Sequence, residues 1–353
     1  MPAALGLSTY RWNNNLKSVF LLLLFPFLLM GLLAGICYAS GFIYMDPNSG
    51  LVSPLLFQSL DIRPVLGTGR PEDFALSVVY AYWPIVTGIA ATWLVIGYFF
   101  NDSIIHAATG ARAVTRQEAP KLYNTLENLC ISRGLKTPHL YVIDGDEMNA
   151  YASGIDQSSY AITVTRGLVE TLNDDEMEAV LAHELTHIIN RDCRLMIVTI
   201  VFVGMISFAA QMIWRGLRYA SYGRSRDREG GGGVLLIMLI AGVMLGIGYS
   251  LALVLRFAIS RKREYLADAG SVELTKNPEA LIGALRKISS NCDVPHVPTE
   301  VRQMFIENPP SLFDLGGLFA THPPIADRIH ILEELGGLPP EGKSVIPNSS
   351  EPG

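Results

Sequence analysis

Paired cysteines, an excess of basic charge and an ordinary density of charged residues are all missing from this 353-residue chain. Its four cysteines, Cys37, Cys130, Cys193 and Cys292, are scattered with no C-x-x-C spacing. That argues against a disulfide framework or a cysteine metal site and fits a reducing compartment. Lys and Arg number 27 against 33 Asp and Glu, a net charge of −6, so nothing points to a nucleic-acid partner. Charged residues make up only 17% of the chain, half of it is hydrophobic, and the mean hydropathy is +0.30. An ordinary soluble enzyme of this size is less apolar.

Four runs carry the apolar excess: residues about 17–44, 75–100, 195–214 and 234–259, each almost free of charge. Each is long enough to cross a hydrocarbon core of roughly 30 Å at about 1.5 Å per residue. The first is too long for a signal-peptide core and follows sixteen polar residues, so it reads as an uncleaved anchor. Arg11 and Lys17 precede it, and Arg112, Arg116 and Lys121 follow the second run. The loop between them, 45–74, sets Arg63 and Arg70 against Asp46, Asp61, Glu72 and Asp73. The bias puts this loop outside and everything from about 101 onward inside. The loop between runs three and four resists that picture: it carries Arg215, Arg218, Arg224, Arg226 and Arg228 before the flexible Gly230–Gly233 tip.

The strongest chemical signal is Leu181-Ala-His183-Glu184-Leu-Thr-His187. Asn173 offers an N-cap, and Asp174, Asp175 and Glu176 suit a helix N-terminus, so the spacing predicts a helix through the motif. His183 and His187 then share one helical face and can grip one Zn²⁺. Glu184 is turned aside, where it serves as a general base rather than a ligand.

Two histidines leave a catalytic zinc site unfinished. A third His six residues on is excluded, because that position is Cys193 and the accompanying glycine is replaced by Asn190. Glu264, just beyond run four, is the leading third ligand, with Asp268 one helical turn later to hold a ligand imidazole. Asp192, on the continuation of the motif helix, competes as a ligand but suits a supporting or capping role better. His322, in Thr321-His-Pro-Pro324, is held rigidly ahead of a new helix and could donate to a developing oxyanion. Residues 139–144 and 159–165 read as strands. Between them Asn149, Ala150 and Tyr151 suggest an edge strand able to pair with an extended substrate.

These residues together resemble the HtpX-type integral-membrane zinc metalloproteases, gluzincins related to the type I CaaX-processing proteases. The likeness covers about 105–335 in four ordered motifs: Asn149-Ala-Tyr-Ala-x-Gly154, Ala182-His-Glu-Leu-x-His187-Ile-x-Asn190-x-Asp192, Ser260-Arg-x-Arg-Glu264-Tyr-x-Ala-Asp268, and Thr321-His-Pro-Pro324-x-x-x-Arg328-Ile329. It implies that His183, His187 and Glu264 bind one zinc per subunit and that Glu184 is the catalytic base. Asp268, Asp192 and Arg328 would support the ligands, and His322 and the Asn149 strand would line the substrate cleft. The segment before run one and the 45–74 loop are longer than a compact member of this family leads one to expect.

The resulting expectation is a mainly α membrane protein: about four transmembrane or membrane-associated helices plus an α+β gluzincin-type domain with a small sheet. Residues 1–16 form a polar start, 17–100 an anchor of two helices, 101–194 and 260–338 the two parts of a catalytic domain, 195–259 a hydrophobic hairpin, and 339–353 a disordered tail. The expected function is zinc-dependent endoproteolysis of misfolded or damaged membrane proteins at the cytoplasmic face of a bacterial inner membrane. A non-catalytic zinc-stabilised scaffold is the alternative. A transporter is disfavoured because the apolar runs lack polar residues.

Overall fold

The structure is a computed structural model that describes residues 7–46, 48–198, 262–302, 304–307 and 322–337, with isolated residues between 200 and 246. The chain divides into two compact units, residues 1–101 with 195–256, and residues 102–194 with 257–353. The described part is mainly helical, with one small mixed sheet.

In the first unit α1 covers Leu7–Ile43, so helix begins ten residues upstream of the apolar run. After α2 (Pro54–Ser59) comes α3, Pro71–Thr109, whose first turn carries Glu72 and Asp73. Among the described residues α3 is the one helix long and apolar enough to cross a membrane, and Leu29–Ile43 is a shorter apolar stretch. Along α3 the large side chains Tyr80, Trp83, Ile85, Ile89, Val95 and Phe99 are exposed, the reverse of a water-facing helix. The expected runs 195–214 and 234–259, the Arg-rich loop 215–233 and the tail 339–353 lie almost wholly outside the described residues.

The 45–74 loop is folded. Val52, Phe57, Ile62, Phe74 and Val78 form a small core. The Asp73 carboxylate accepts the N–H groups of Leu66 (2.7 Å) and Gly69 (2.9 Å). These bonds fasten the loop to the start of α3 and satisfy groups that the turn leaves unpaired.

The second unit carries the chemistry. Its strands are β1 (Arg112–Ala113), β2 (His139–Ile143), β3 (Ala150–Ser153) and β4 (Ala161–Thr165), in the order β1-β2-β4-β3. β2 and β4 are parallel; the other two pairs are antiparallel. Ile162 and Val164 of β4 point to one face and meet Leu181 and Leu185 in the main core, together with Leu126, Leu281 and Leu285. The opposite face meets the end of α3: Thr109 and Tyr151 share a 3.0 Å hydrogen bond, and His106 stacks on Tyr141 at 3.7 Å.

The helices of this unit are α4 (Pro120–Ser132), α5 (Arg166–Thr171), α6 (Asp174–Ile189), α7 starting at 192, α8 over 262–275, α9 (Pro278–Ile288), α10 (Thr299–Arg302) and α11 (Ile325–Gly336). α6 runs through the centre and packs against α4, α9 and β3.

Candidate active site

The site begins with the start of α6. Asn173 Oδ1 accepts the Glu176 N–H at 2.8 Å, and Glu176 Oε2 accepts the Asn173 N–H at 2.9 Å. This reciprocal capping box fixes the helix phase. Lys287 of α9 reaches Glu176 Oε2 at 2.6 Å and ties the cap down. Three turns on, His183, Glu184 and His187 are all buried.

α8 is held tightly against α6. Ser271 Oγ donates to the Ala179 carbonyl at 2.6 Å. A β-carbon at Gly270 would collide with the Thr186 side chain, so glycine is required where the helices touch. This contact brings Glu264 to the motif. His183, His187 and Glu264 offer ligand atoms that all lie within 4.8 Å of one another.

The geometry fits a metal. His183 Nε2 and His187 Nε2 are 3.3 Å apart, and two ligands about 2.0–2.1 Å from a tetrahedral metal stand about 3.3–3.4 Å apart. Glu264 lies 3.6 Å from the first ring and 3.8 Å from the second. Asp268 Oδ1 stands 3.0 Å from His183 Nδ1, and Asp192 Oδ2 stands 3.1 Å from His187 Nδ1. A carboxylate at Nδ1 draws the ring proton there and leaves the Nε2 lone pair as donor. Both lone pairs then face one point beside a carboxylate, an arrangement that a cation relieves.

The local field agrees. Burial works to lower the His183 pKa, but Asp268 and Glu264 outweigh it and raise it to about 9. Burial works to raise Glu264, yet His322, His187 and His183 hold it well below the carboxylate range. A positive charge is therefore favoured at the centre of this pocket. Burial raises the Glu184 carboxyl, with the two imidazoles pulling the other way. Neither Glu184 oxygen has a hydrogen-bond partner among the described residues, although both are buried.

Each anticipated residue has a definite place. Asp192 does not continue α6: the helix ends at Ile189, and Arg191, at φ 60°, turns the chain so that Asp192 opens α7 facing His187. His322 Nδ1 is 3.4 Å from Glu264 Oε2. Arg328 is fully buried and grips Asp268 with both arms, at 2.7 and 2.9 Å, while its third nitrogen donates to the Ile306 carbonyl at 3.0 Å. Asn149, Ala150 and Tyr151 are buried at the edge of the sheet. Asn149 Nδ2 donates to the carbonyls of Cys292 (2.7 Å) and Glu307 (2.8 Å). The segment 304–307 that meets them was not anticipated; its hydrogen bonds to them run through its backbone, and Phe305 packs edge-on to Tyr151.

The family model for peptidase family M48 matches residues 116–335, which contain every residue just described. The chain belongs to peptidase family M48. It is thus a metallopeptidase, acting on peptide or protein substrates. A relative of this M48 peptidase from Bacteroides fragilis (strain YCH46), "Protease HtpX homolog", is 45% identical over 335 residues, covering 93% of this chain and 98% of the relative. Another "Protease HtpX homolog", from Nostoc, is 38% identical over 275 residues, covering 74% of this chain and 92% of the relative. The crystal structure of S. mikatae Ste24p matches with a TM-score of 0.46 and 20% identity, covering 71% of this chain and 58% of that one.

Proposed function

We propose that this M48 peptidase is a membrane-anchored zinc endopeptidase that cleaves unfolded or damaged membrane proteins. The observation that carries the reading is the buried convergence of His183, His187 and Glu264, with the Glu184 carboxylate, which has no hydrogen-bond partner among the described residues, beside the first of them. These three residues would hold one Zn²⁺ per chain, which supplies Lewis acidity toward a scissile carbonyl and a water acidic near neutral pH.

The chain's own groups do the rest. Glu184 takes the proton of the attacking water and later returns it to the leaving amine. Asp268 and Asp192 hold the two imidazoles so that both Nε2 atoms converge beside Glu264. Arg328 fixes Asp268. His322, seated against Glu264, donates to the oxyanion that develops on the substrate carbonyl. The edge of β3 from Asn149 to Tyr151 receives the substrate backbone, since β3 is an edge strand packed on α6.

The outward-facing apolar side chains of α3 support a membrane anchor within 17–100. We read 195–259 as a second, hairpin-like membrane element. Residues 101–194 and 260–338 then form one catalytic domain on the cytoplasmic side of a bacterial inner membrane, in keeping with the Lys and Arg bias around the first two runs.

The reading is tested with unfolded β-casein and the purified full-length chain. Zinc-loaded protein should release fragments with newly formed amino termini, excess 1,10-phenanthroline should stop the reaction, and added zinc should restore it. Intact β-casein after prolonged incubation with chain carrying one zinc would contradict the proposal.

A further inference from the structure

The outer edge of β3 already holds a peptide, and it is this chain's own. Asn149 accepts the Thr165 N–H at 3.0 Å, and Tyr151 pairs with Thr163. In an antiparallel ladder the intervening residues turn their N–H and C=O groups the other way. Ala150 and Ala152 therefore turn theirs to the outer edge, where the Ala150 N–H is taken by Asn149 Oδ1 at 3.1 Å. The Ala150 carbonyl accepts the Ile306 N–H at 2.8 Å. One residue on, Asn149 Nδ2 donates to the Glu307 carbonyl at 2.8 Å and Asn149 Oδ1 lies 3.4 Å from the Glu307 N–H. A carboxamide that donates to and accepts from the same residue reads peptide backbone without regard to side chain.

We propose that residues 304–307 are an internal occupant of the peptide-binding edge, a self-inhibitory strap that a substrate strand must displace. The inference rests on the protease reading above. Strap and substrate would compete for the Ala150 carbonyl and the Asn149 carboxamide, so an incoming extended peptide replaces each bond that it breaks. The strap is also wired to the metal centre. The Arg328 guanidinium that grips Asp268 behind His183 holds the Ile306 carbonyl as well. Phe305, edge-on to Tyr151 at 5.1 Å, seats the strap against the far side of the same strand. Met304, Phe305 and Ile306 are buried and Ile306 joins the main core, so a displacing strand must also replace the apolar side chains it lifts out.

The test uses the full-length chain with β-casein as probe. Ile306→Pro removes the N–H donated to Ala150 and leaves the Ile306 carbonyl for Arg328. It should raise kcat/KM for β-casein roughly five-fold, about the factor one backbone hydrogen bond is worth, mainly through KM. In a second measurement, hydrogen exchange is followed at Ile306 and Glu307 in zinc-loaded Glu184→Gln protein, and saturating β-casein should expose both amides. An unchanged or lower kcat/KM in a folded Ile306→Pro chain, or undiminished protection of these amides with β-casein present, would overturn the strap. If Ile306→Pro fails to fold, the exchange measurement decides by the same two outcomes. Should the wild-type chain leave β-casein intact, the protease reading fails, while exchange at Ile306 still supports or overturns the strap by itself.

Discussion

Replacing Glu184 with Gln should lower kcat by about 10²–10⁴-fold, the usual worth of a positioned proton-transfer group, and leave zinc content and KM unchanged. The carboxylate is buried in the middle of α6, and neither of its oxygens is engaged by a described residue. It therefore contributes no contact whose loss would unfold the helix, and the isosteric amide fills the same space. What the amide cannot do is accept a proton. Steady-state kinetics on β-casein, together with metal analysis of the same preparation, separates the cases. A fully metallated variant with wild-type kcat would show that another group is the base. A variant that loses its metal would show that Glu184 holds the ion.

The second large effect is expected at Arg328. It is fully buried and makes two bonds to Asp268 and one to the Ile306 carbonyl. Arg328→Met keeps most of the volume but leaves Asp268 as a buried carboxylate without its guanidinium. Breaking such a pair costs about 3–5 kcal/mol. That should lower the melting temperature by about 10 °C in a unit of this size. Arg328→Lys should recover only part of it, because an ammonium cannot form the two-pronged grip.

The pair also shapes the acid limb of stability. Burial works to raise the Asp268 pKa, but Arg328 and His183 outweigh it and the net value is lowered. A carboxylate depressed by folding stabilises the fold above its ordinary pKa of about 3.9, and that stability is lost as pH falls through the folded value. Wild type should therefore lose stability below about pH 4 more steeply than Asp268→Asn. Thermal unfolding between pH 3 and 7 checks both expectations. Equal melting temperatures for Arg328→Met and wild type would contradict the account.

What was legible in the sequence follows the reach of local rules. The helix through His183 and His187 could be read because a cap, an acidic first turn and a 3.6-residue period all lie within one segment. Glu264 and Asp268 could be read as a pair because they too are one turn apart. Their meeting with α6 depends on Gly270 and Ser271, whose importance appears only once two helices touch. The sequence flagged Asp192 close after the motif, but not the left-handed turn at Arg191 that aims it at His187, since φ 60° is uncommon for any residue but glycine. At 304–307 the apolar run Met304-Phe305-Ile306 is buried, but an apolar triplet does not show which strand its backbone will meet. The 45–74 loop read only as an outer connection, yet scattered apolar residues give it a small core of its own.

Zinc K-edge X-ray absorption on the full-length, singly metallated chain tests the central claim most directly. The account predicts two imidazole nitrogens and one or two light-atom oxygens at about 2.0–2.1 Å, with no sulfur. It also predicts that Glu264→Ala alters that shell and lowers zinc occupancy, whereas Glu184→Gln leaves both unchanged. A sulfur ligand, or a shell untouched by loss of Glu264, would contradict it.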